Sequence, residues 1–224
     1  MIFYAPHLAV GDNTFFLSQE ESKHCIKVLR AKEGQKIELV NGKGLRAEGI
    51  ISKADLKSCA VAITQFMEKE MSRNIHIALA PTKQMERLEW FVEKAVELGI
   101  SELSFIHCKN NERKSIRLDR IEKIAVSALK QSKRFYLPKI NDLRPMEEFI
   151  EKHPNGYISH CMEGPKTPIH ETNGEAPILI GPEGDFTPKE LEFALQHGYK
   201  PLSLGDYRLR TETAALYCVA MLSV

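Results

Sequence analysis

The chain has 224 residues, 43% of them hydrophobic and 27% charged, with a formal net charge of +1; that is the profile of a globular protein of one large or two small domains. No run approaches the ~18 uninterrupted apolar residues of a membrane helix, and the start, MIFYAPHLAVGDN, has neither the basic n-region nor the long apolar h-region of a secretory signal, so a cytoplasmic protein without membrane attachment is expected. The five cysteines are odd in number, scattered and without a CxxC pair, which predicts reduced, mostly buried thiols and no metal site.

Residues 1–72 read as a small, mostly β, barrel-like module. Strands are expected at Thr14–Leu17, Lys36–Val40, Leu45–Ile51 and Ser58–Phe66, with a tight turn at Asn41-Gly42-Lys43-Gly44. Ser18-Gln19-Glu20-Glu21 has the spacing of a capping box and predicts one helix running through Val28-Leu29-Arg30. After the polar stretch Glu68–Arg73 the pattern changes to alternating strands and helices over 73–224. Strands are expected at Ile75–Ala80, Leu103–His107, Tyr157–Cys161, Ala176–Ile180 and Pro201–Leu204. Between them, Met85–Leu98 is an amphipathic helix closed by Gly99, and Arg117–Ser132 is a second. Thr187-Pro188-Lys189-Glu190 is a further capping box, opening a helix that stops at His197-Gly198, and Thr213–Val224 is the last helix. Strands alternating with helices predict a parallel sheet covered on both faces.

Charge is unevenly spread along the chain. Residues 1–72 carry a net +1, residues 73–144 a net +6 and residues 145–224 a net −6; within the middle third, 109–139 holds ten basic residues against Glu112, Asp119 and Glu122. A basic segment on a near-neutral protein is either an electrostatic footprint for nucleic acid or a solvated helix face.

Two glycine-bearing loops follow apolar runs near the end of the chain. Gly181-Pro182-Glu183-Gly184 and Gly205–Arg210 sit where open α/β sheets bind ligands, at the carboxyl ends of strands. Neither is a P-loop or a GxGxxG fingerprint, and the acidic Glu183, Asp185 and Asp206 suit a cationic or neutral ligand better than a phosphate. Arg210-Thr211-Glu212-Thr213 flanks a helix start: Thr211 or Thr213 is expected to cap it, Arg210 to grip a polar substrate and Glu212 to orient it.

Taken together, Leu179-Ile180-Gly181-Pro182-Glu183-Gly184-Asp185-Phe186, Leu204-Gly205, Leu209-Arg210-Thr211-Glu212-Thr213-Ala214, and His24 with Val28-Leu29-Arg30 resemble the ribosomal RNA small subunit methyltransferase E family, of the SPOUT class. Lys94-Ala95, Glu97-Leu98-Gly99 and Gln131-Ser132 with Arg134 match it too, so the likeness runs along essentially the whole chain. Asp185 stands where that family usually has the second glycine of GPEGG. The resemblance implies an α/β fold: a PUA-like β-barrel domain over 1–72, then a SPOUT-type knotted parallel-sheet methyltransferase domain over 73–224 with a carboxyl-terminal trefoil knot. It implies S-adenosylmethionine as methyl donor, a homodimer, and methylation of uridine N3 in 16S ribosomal RNA, within the small subunit or an assembly intermediate.

On the same basis, Leu179, Ile180, Gly181, Pro182, Glu183 and Gly184, with Leu202, Ser203, Leu204, Gly205 and Leu209, would hold the donor. Leu179, Leu204 and Leu209 would enclose its adenine, and the Cys161–Glu163 loop would complete the pocket. Arg210, Glu212 and Glu183 would carry the chemistry. Arg30, His24, Lys109, Arg113, Lys114, Arg117, Lys130, Lys133 and Arg134 would contact RNA, and Phe135-Tyr136 would either stack on a base or pack in the core. A SPOUT enzyme for another RNA position and a non-catalytic PUA-type RNA-binding protein are the alternatives.

Overall fold

The structure, a computed structural model, describes residues 1–172 and 174–223. The chain divides into two compact units, Met1–Ser72 with Val126–Leu137, and Arg73–Ala125 with Pro138–Val224.

The first unit holds β1 (Ile2–Tyr4), β2 (Thr14–Phe16), α1 (Gln19–Lys23), β3 (Lys36–Val40), β4 (Leu45–Lys53) and β5 (Ala60–Glu68). The strands form one small curled sheet in the order β1-β3-β4-β5-β2, antiparallel except for β1 beside β3. Alternate residues Ile37 and Leu39, with Phe3, Ala47, Cys59 and Val61, make its core. The Ser18 hydroxyl accepts from the Glu21 amide as expected (3.2 Å), but the other half of the box is missing. The Glu21 carboxylate instead takes the Lys130 ammonium (2.7 Å) and the Tyr4 amide (3.4 Å). Helix α1 is also shorter than the sequence predicts. After Lys23 it widens into a π-helical turn, His24–Val28, where the Leu29 amide reaches back to the His24 carbonyl (3.0 Å), and Arg30 closes it with φ 54°.

The second unit holds β6 (His76–Leu79), α2 (Met85–Leu98), β7 (Glu102–His107), the first half of α3 (Leu118–Ser132), β8 (Lys139–Pro145), α4 (Met146–Lys152), β9 (Tyr157–Ser159), β10 (Thr167–Pro168), β11 (Ile178–Ile180), α5 (Pro188–Gln196), β12 (Lys200–Ser203) and α6 (Thr211–Leu222). Seven strands pair in the order β10-β12-β9-β11-β6-β7-β8, all parallel. Ala78 and Ala80 join Met146 and Ile150 of α4 and Ala194 of α5 in one core. Strand alternation turns the fully buried Ile77 and Leu79 to the other face, and α6 packs against β6, β11 and α2. Helix α2 buries Leu88, Phe91, Val92 and Ala95 and ends on Gly99 with φ 96°; each of the three larger side chains contributes about 1.5–3 kcal/mol of burial. This order puts β12, β9 and β11 side by side, so the three loops that follow them meet at one edge of the sheet.

Candidate active site

Those three loops enclose a cavity of about 640 Å³. After β9 come His160 and Cys161; after β11, Gly181-Pro182-Glu183 with Asp185; after β12, the run from Leu204 to Arg210; Lys166 and Ala214 close the remaining wall. The volume lies within the roughly 300–1,000 Å³ of small-molecule sites.

The loop after β11 is fixed by its neighbours. Asp185 has φ 61°, a left-handed backbone that glycine adopts freely and that Asp tolerates among the larger residues. Here it repays the strain: Oδ2 accepts from the Cys161 amide (2.9 Å) and Oδ1 from its own neighbour, the Phe186 amide (2.8 Å). Its amide donates to the Pro182 carbonyl (2.9 Å). Asn110, from the segment after β7, donates to the carbonyls of Gly184 (3.2 Å) and Asp185 (2.9 Å). A Cβ on Gly184 would lie 3.1 Å from that of Asn110, so any larger residue there would crowd the clamp. Glu183 accepts from the Lys83 amide (3.1 Å) and its carbonyl takes the Arg208 guanidinium (3.2 Å). The buried Glu190 completes its capping box with Thr187 and accepts from the Lys109 amide (2.7 Å), holding the 108–113 segment to the start of α5.

Helix α6 begins differently from its sequence expectation. Its N-cap is Arg210, and no side chain caps it. The buried Thr211 hydroxyl donates instead to the Gly181 carbonyl (3.0 Å), joining the last helix to the loop after β11. Arg210 is exposed on the cavity wall and, among the described residues, has no carboxylate within ion-pair distance. Glu212, expected beside it in the chemistry, makes no ion pair with it. Glu212 is 6% exposed, lies outside the cavity wall and faces Arg87 of α2 (3.8 Å). Glu183, by contrast, is exposed on the wall. His160 is buried there, and burial, reinforced by Lys166 and opposed by Asp185 and the Met162 backbone, holds its imidazole below the usual histidine value.

Of the donor-site residues read from the sequence, Ile180, Gly181, Pro182, Glu183, Leu202, Ser203, Leu204, Gly205 and Leu209 line the cavity. Leu179 does not. Its side chain is fully buried in the core with Ala78 and Phe186, because alternation along β11 turns it away from its neighbour Ile180. Gly184 sits just outside, its carbonyl held by Asn110. Cys161 lines the wall and Glu163 does not. His160, Lys166, Tyr207, Arg208 and Asn110 were not singled out from the sequence; only Tyr207, an aromatic in a glycine-opened loop, carried a signal.

The basic residues fall into two groups. In the second unit, Lys109 and Lys114 are exposed, and Arg117 pairs with Asp119 in solvent (3.5 Å). Arg113 turns inward: its guanidinium donates to the carbonyls of Thr82 (3.0 Å) and Lys83 (2.6 Å). In the first unit, His24 stands edge-on to Phe3, Arg30 is exposed, Lys130 is paired with Glu21 and Lys133 reaches Glu38 (3.2 Å). Arg134 is exposed. Phe135 lies under the Arg46 guanidinium (5.0 Å to the ring centroid), and the Tyr136 hydroxyl donates to the Lys69 carbonyl (2.7 Å), so both half-buried rings take part in packing.

Comparison with known proteins gives two consecutive matches along the chain. Residues 69–223 match the model of an RNA methyltransferase domain, and residues 17–64 that of an RNA methyltransferase PUA domain. The chain belongs to the ribosomal RNA small subunit methyltransferase E family. It is 27% identical over 231 residues to the Bacillus subtilis ribosomal RNA small subunit methyltransferase E, covering 94% of this chain and 90% of that one. The crystal structure of a probable rRNA-methyltransferase from Porphyromonas gingivalis superposes with a TM-score of 0.87 at 38% identity, covering 97% of this chain and 94% of that one. A ribosomal RNA small subunit methyltransferase E from Neisseria gonorrhoeae, bound to S-adenosyl methionine, does so with a TM-score of 0.86 at 26% identity, over 98% and 94%. The two matched models come in chain order, the RNA methyltransferase PUA domain on the curled sheet and the RNA methyltransferase domain over the all-parallel sheet. Among the described residues no cluster of side chains could hold a metal ion, and no helix is long and apolar enough to cross a membrane.

Proposed function

We propose that this protein uses S-adenosylmethionine to methylate uridine N3 in 16S ribosomal RNA, within the small subunit or an assembly intermediate, and that it works as a homodimer. The observation that carries this is the cavity at the ends of β9, β11 and β12, with Arg210 exposed on its wall and, among the described residues, without a carboxylate partner.

The cavity suits the donor. Among the described residues, the backbone N–H groups of Asp206, Tyr207 and Leu209 have no protein acceptor and remain available to a ligand. Glu183, Asp185 and Asp206 put carboxylates on the wall for a sulfonium to face, matched in number by Lys166, Arg208 and Arg210. Ile180, Gly181, Leu202, Leu204 and Leu209 would hold it. Bound there, S-adenosylmethionine supplies an electrophilic methyl group. Uridine N3 carries a proton and is a poor nucleophile until it loses it. Arg210 stabilises the charge that then spreads onto the uracil oxygens, a task for a guanidinium that stays ionised and offers several donors. Glu183 is the better placed proton acceptor, since it stands on the cavity wall while Glu212 is buried against Arg87. Positioning alone is worth up to about 7–11 kcal/mol.

The test is Arg210→Ala, with methyl transfer to small-subunit RNA and S-adenosylmethionine binding measured separately. Turnover should fall by roughly a hundredfold or more, as for removal of other charge-stabilising donors, with donor affinity within about twofold of the parent. Unchanged turnover would remove Arg210 from the chemistry. Mapping methylated nucleotides in RNA from cells with and without the protein tests the acceptor atom.

A further inference from the structure

One side chain on the cavity wall is used by nothing described above. Tyr207 is 88% exposed, the most exposed of the large apolar or aromatic side chains among the described residues. Its surroundings are held in place. Gly205, with φ 111° and its amide on the Ser203 hydroxyl (3.3 Å), turns the chain outward. Arg208 is fixed to the Glu183 carbonyl (3.2 Å), Leu209 is half-buried, and Thr211 is tied to Gly181 (3.0 Å). The phenol ring is thus presented to solvent at the mouth of the cavity from a constrained loop, between Asp206 and Arg208 and near the unpaired Arg210 in sequence. An aromatic face beside guanidinium groups is the combination that takes unpaired nucleotides, the ring stacking on the base and the cations meeting the phosphates. The ring stands too far into solvent to enclose the reacting base, which must enter the cavity to reach Arg210. A base that has left its stack exposes its neighbours.

The geometry points to Tyr207 as a base-stacking residue that receives an unpaired base next to the one being methylated. This rests on the RNA methyl-transfer reading above and adds a requirement on the substrate: the target must sit in a segment whose adjacent base is free to stack. Because every base has a π-face, the contact sets affinity and register more than sequence.

The experiment compares Tyr207→Ala, Tyr207→Phe and Tyr207→Leu with the parent, using small ribosomal subunits from cells lacking the protein as methyl acceptor. The side chain is in solvent, so all three variants should fold. Tyr207→Ala should raise the KM for subunits by roughly 5- to 150-fold, the range for loss of one base–aromatic stack, with kcat and S-adenosylmethionine affinity within twofold. Phenylalanine should restore the KM, and leucine, which keeps bulk but no π-face, should not. A KM unchanged in the alanine variant, or restored by leucine, overturns the proposal. Failure of the parent itself to methylate the subunits would instead overturn the RNA methyl-transfer reading.

Discussion

Asp185 is the residue at which this chain departs from the family's glycine-rich loop, and its geometry explains both the family preference and the departure. The position needs a left-handed backbone, φ 61° here, which costs most L-residues about 1–2 kcal/mol. Aspartate offsets that strain by accepting from the Cys161 and Phe186 amides, and in doing so ties the loop after β9 to the loop after β11. Asp185→Gly should therefore keep the melting temperature within a few degrees while weakening S-adenosylmethionine binding about fivefold, the worth of roughly 1 kcal/mol for a lost hydrogen bond. Asp185→Val should lose stability as well, since a β-branched residue cannot relax into that backbone. Titration calorimetry and thermal unfolding separate the two; equal donor affinity in the glycine variant would show that the tie to Cys161 does not shape the pocket. The substitution was legible in the sequence as a departure, but its consequence was not, because the Cys161 amide that answers it lies in a different loop.

At the scale of elements, the strands and helices with a strong local signal came out at or near their expected limits. Lys36–Val40 and Met85–Leu98 are as predicted, the latter because its apolar face and Gly99 leave no alternative. What escaped were β1, β8, β10 and α4, which are short or polar and owe their form to neighbours. Strand β8 is one of these, and its Asn141 and Lys139 belong to a polar group at the opposite end of the sheet from the cavity. There the buried His76 contacts the Ser104 hydroxyl (2.8 Å), and Glu102 takes both Asn141 (2.6 Å) and Lys139 (2.9 Å). Burial pushes the His76 imidazole down to about 4, with His153 and Lys139 acting in the same direction and Glu102 against them. The folded value lies below the unfolded one of about 6.5, so the unfolded chain takes up the proton first. Stability should be full above about pH 6.5, fall as pH drops towards about 4, and level off below, where both states are protonated; the loss from this site is on the order of 3 kcal/mol. Urea unfolding between pH 7 and pH 4 measures it, and His76→Gln should flatten the slope. An equally steep slope in that variant would place the pH dependence elsewhere.

The segment after β7 shows why residue type alone misleads. Arg113 was grouped with Lys109, Lys114 and Arg117 by charge, yet its guanidinium is spent on the Thr82 and Lys83 carbonyls. If Lys114 meets an RNA phosphate, Lys114→Ala should reduce the magnitude of the log–log slope of RNA affinity against salt by about 0.7–0.9, the value for one phosphate. Arg113→Ala should leave that slope alone and lower the melting temperature. Filter binding across a salt series reads the first and calorimetry the second; a slope change on removing Arg113 would return it to the RNA-contacting set.

For the molecule as a whole, charge is divided along the chain. The net +6 of residues 73–144 falls on segments that present Lys109 and Lys114 to solvent, and the net −6 of residues 145–224 includes the acids of the cavity wall. The sequence alone showed the change of pattern near residue 72 and the two loops of the site. It could not show that Val126–Leu137 belongs with the first unit, since nothing local marks the middle of α3 as the point where the chain changes company. Nor could it show which acid faces the cavity: Glu183 and Glu212 differ only in the packing around them.

The bond from Thr211 to the Gly181 carbonyl has a consequence for how such a site can change over generations. It joins the loop after β11 to the residue that follows Arg210, so neither loop can drift without carrying the other. A lineage altering the first to suit a different donor would displace the arginine in the same step, and a lineage altering the second would disturb the donor. Variation is then easiest at positions that hang free of the joint, such as Tyr207, whose side chain can change without disturbing either loop.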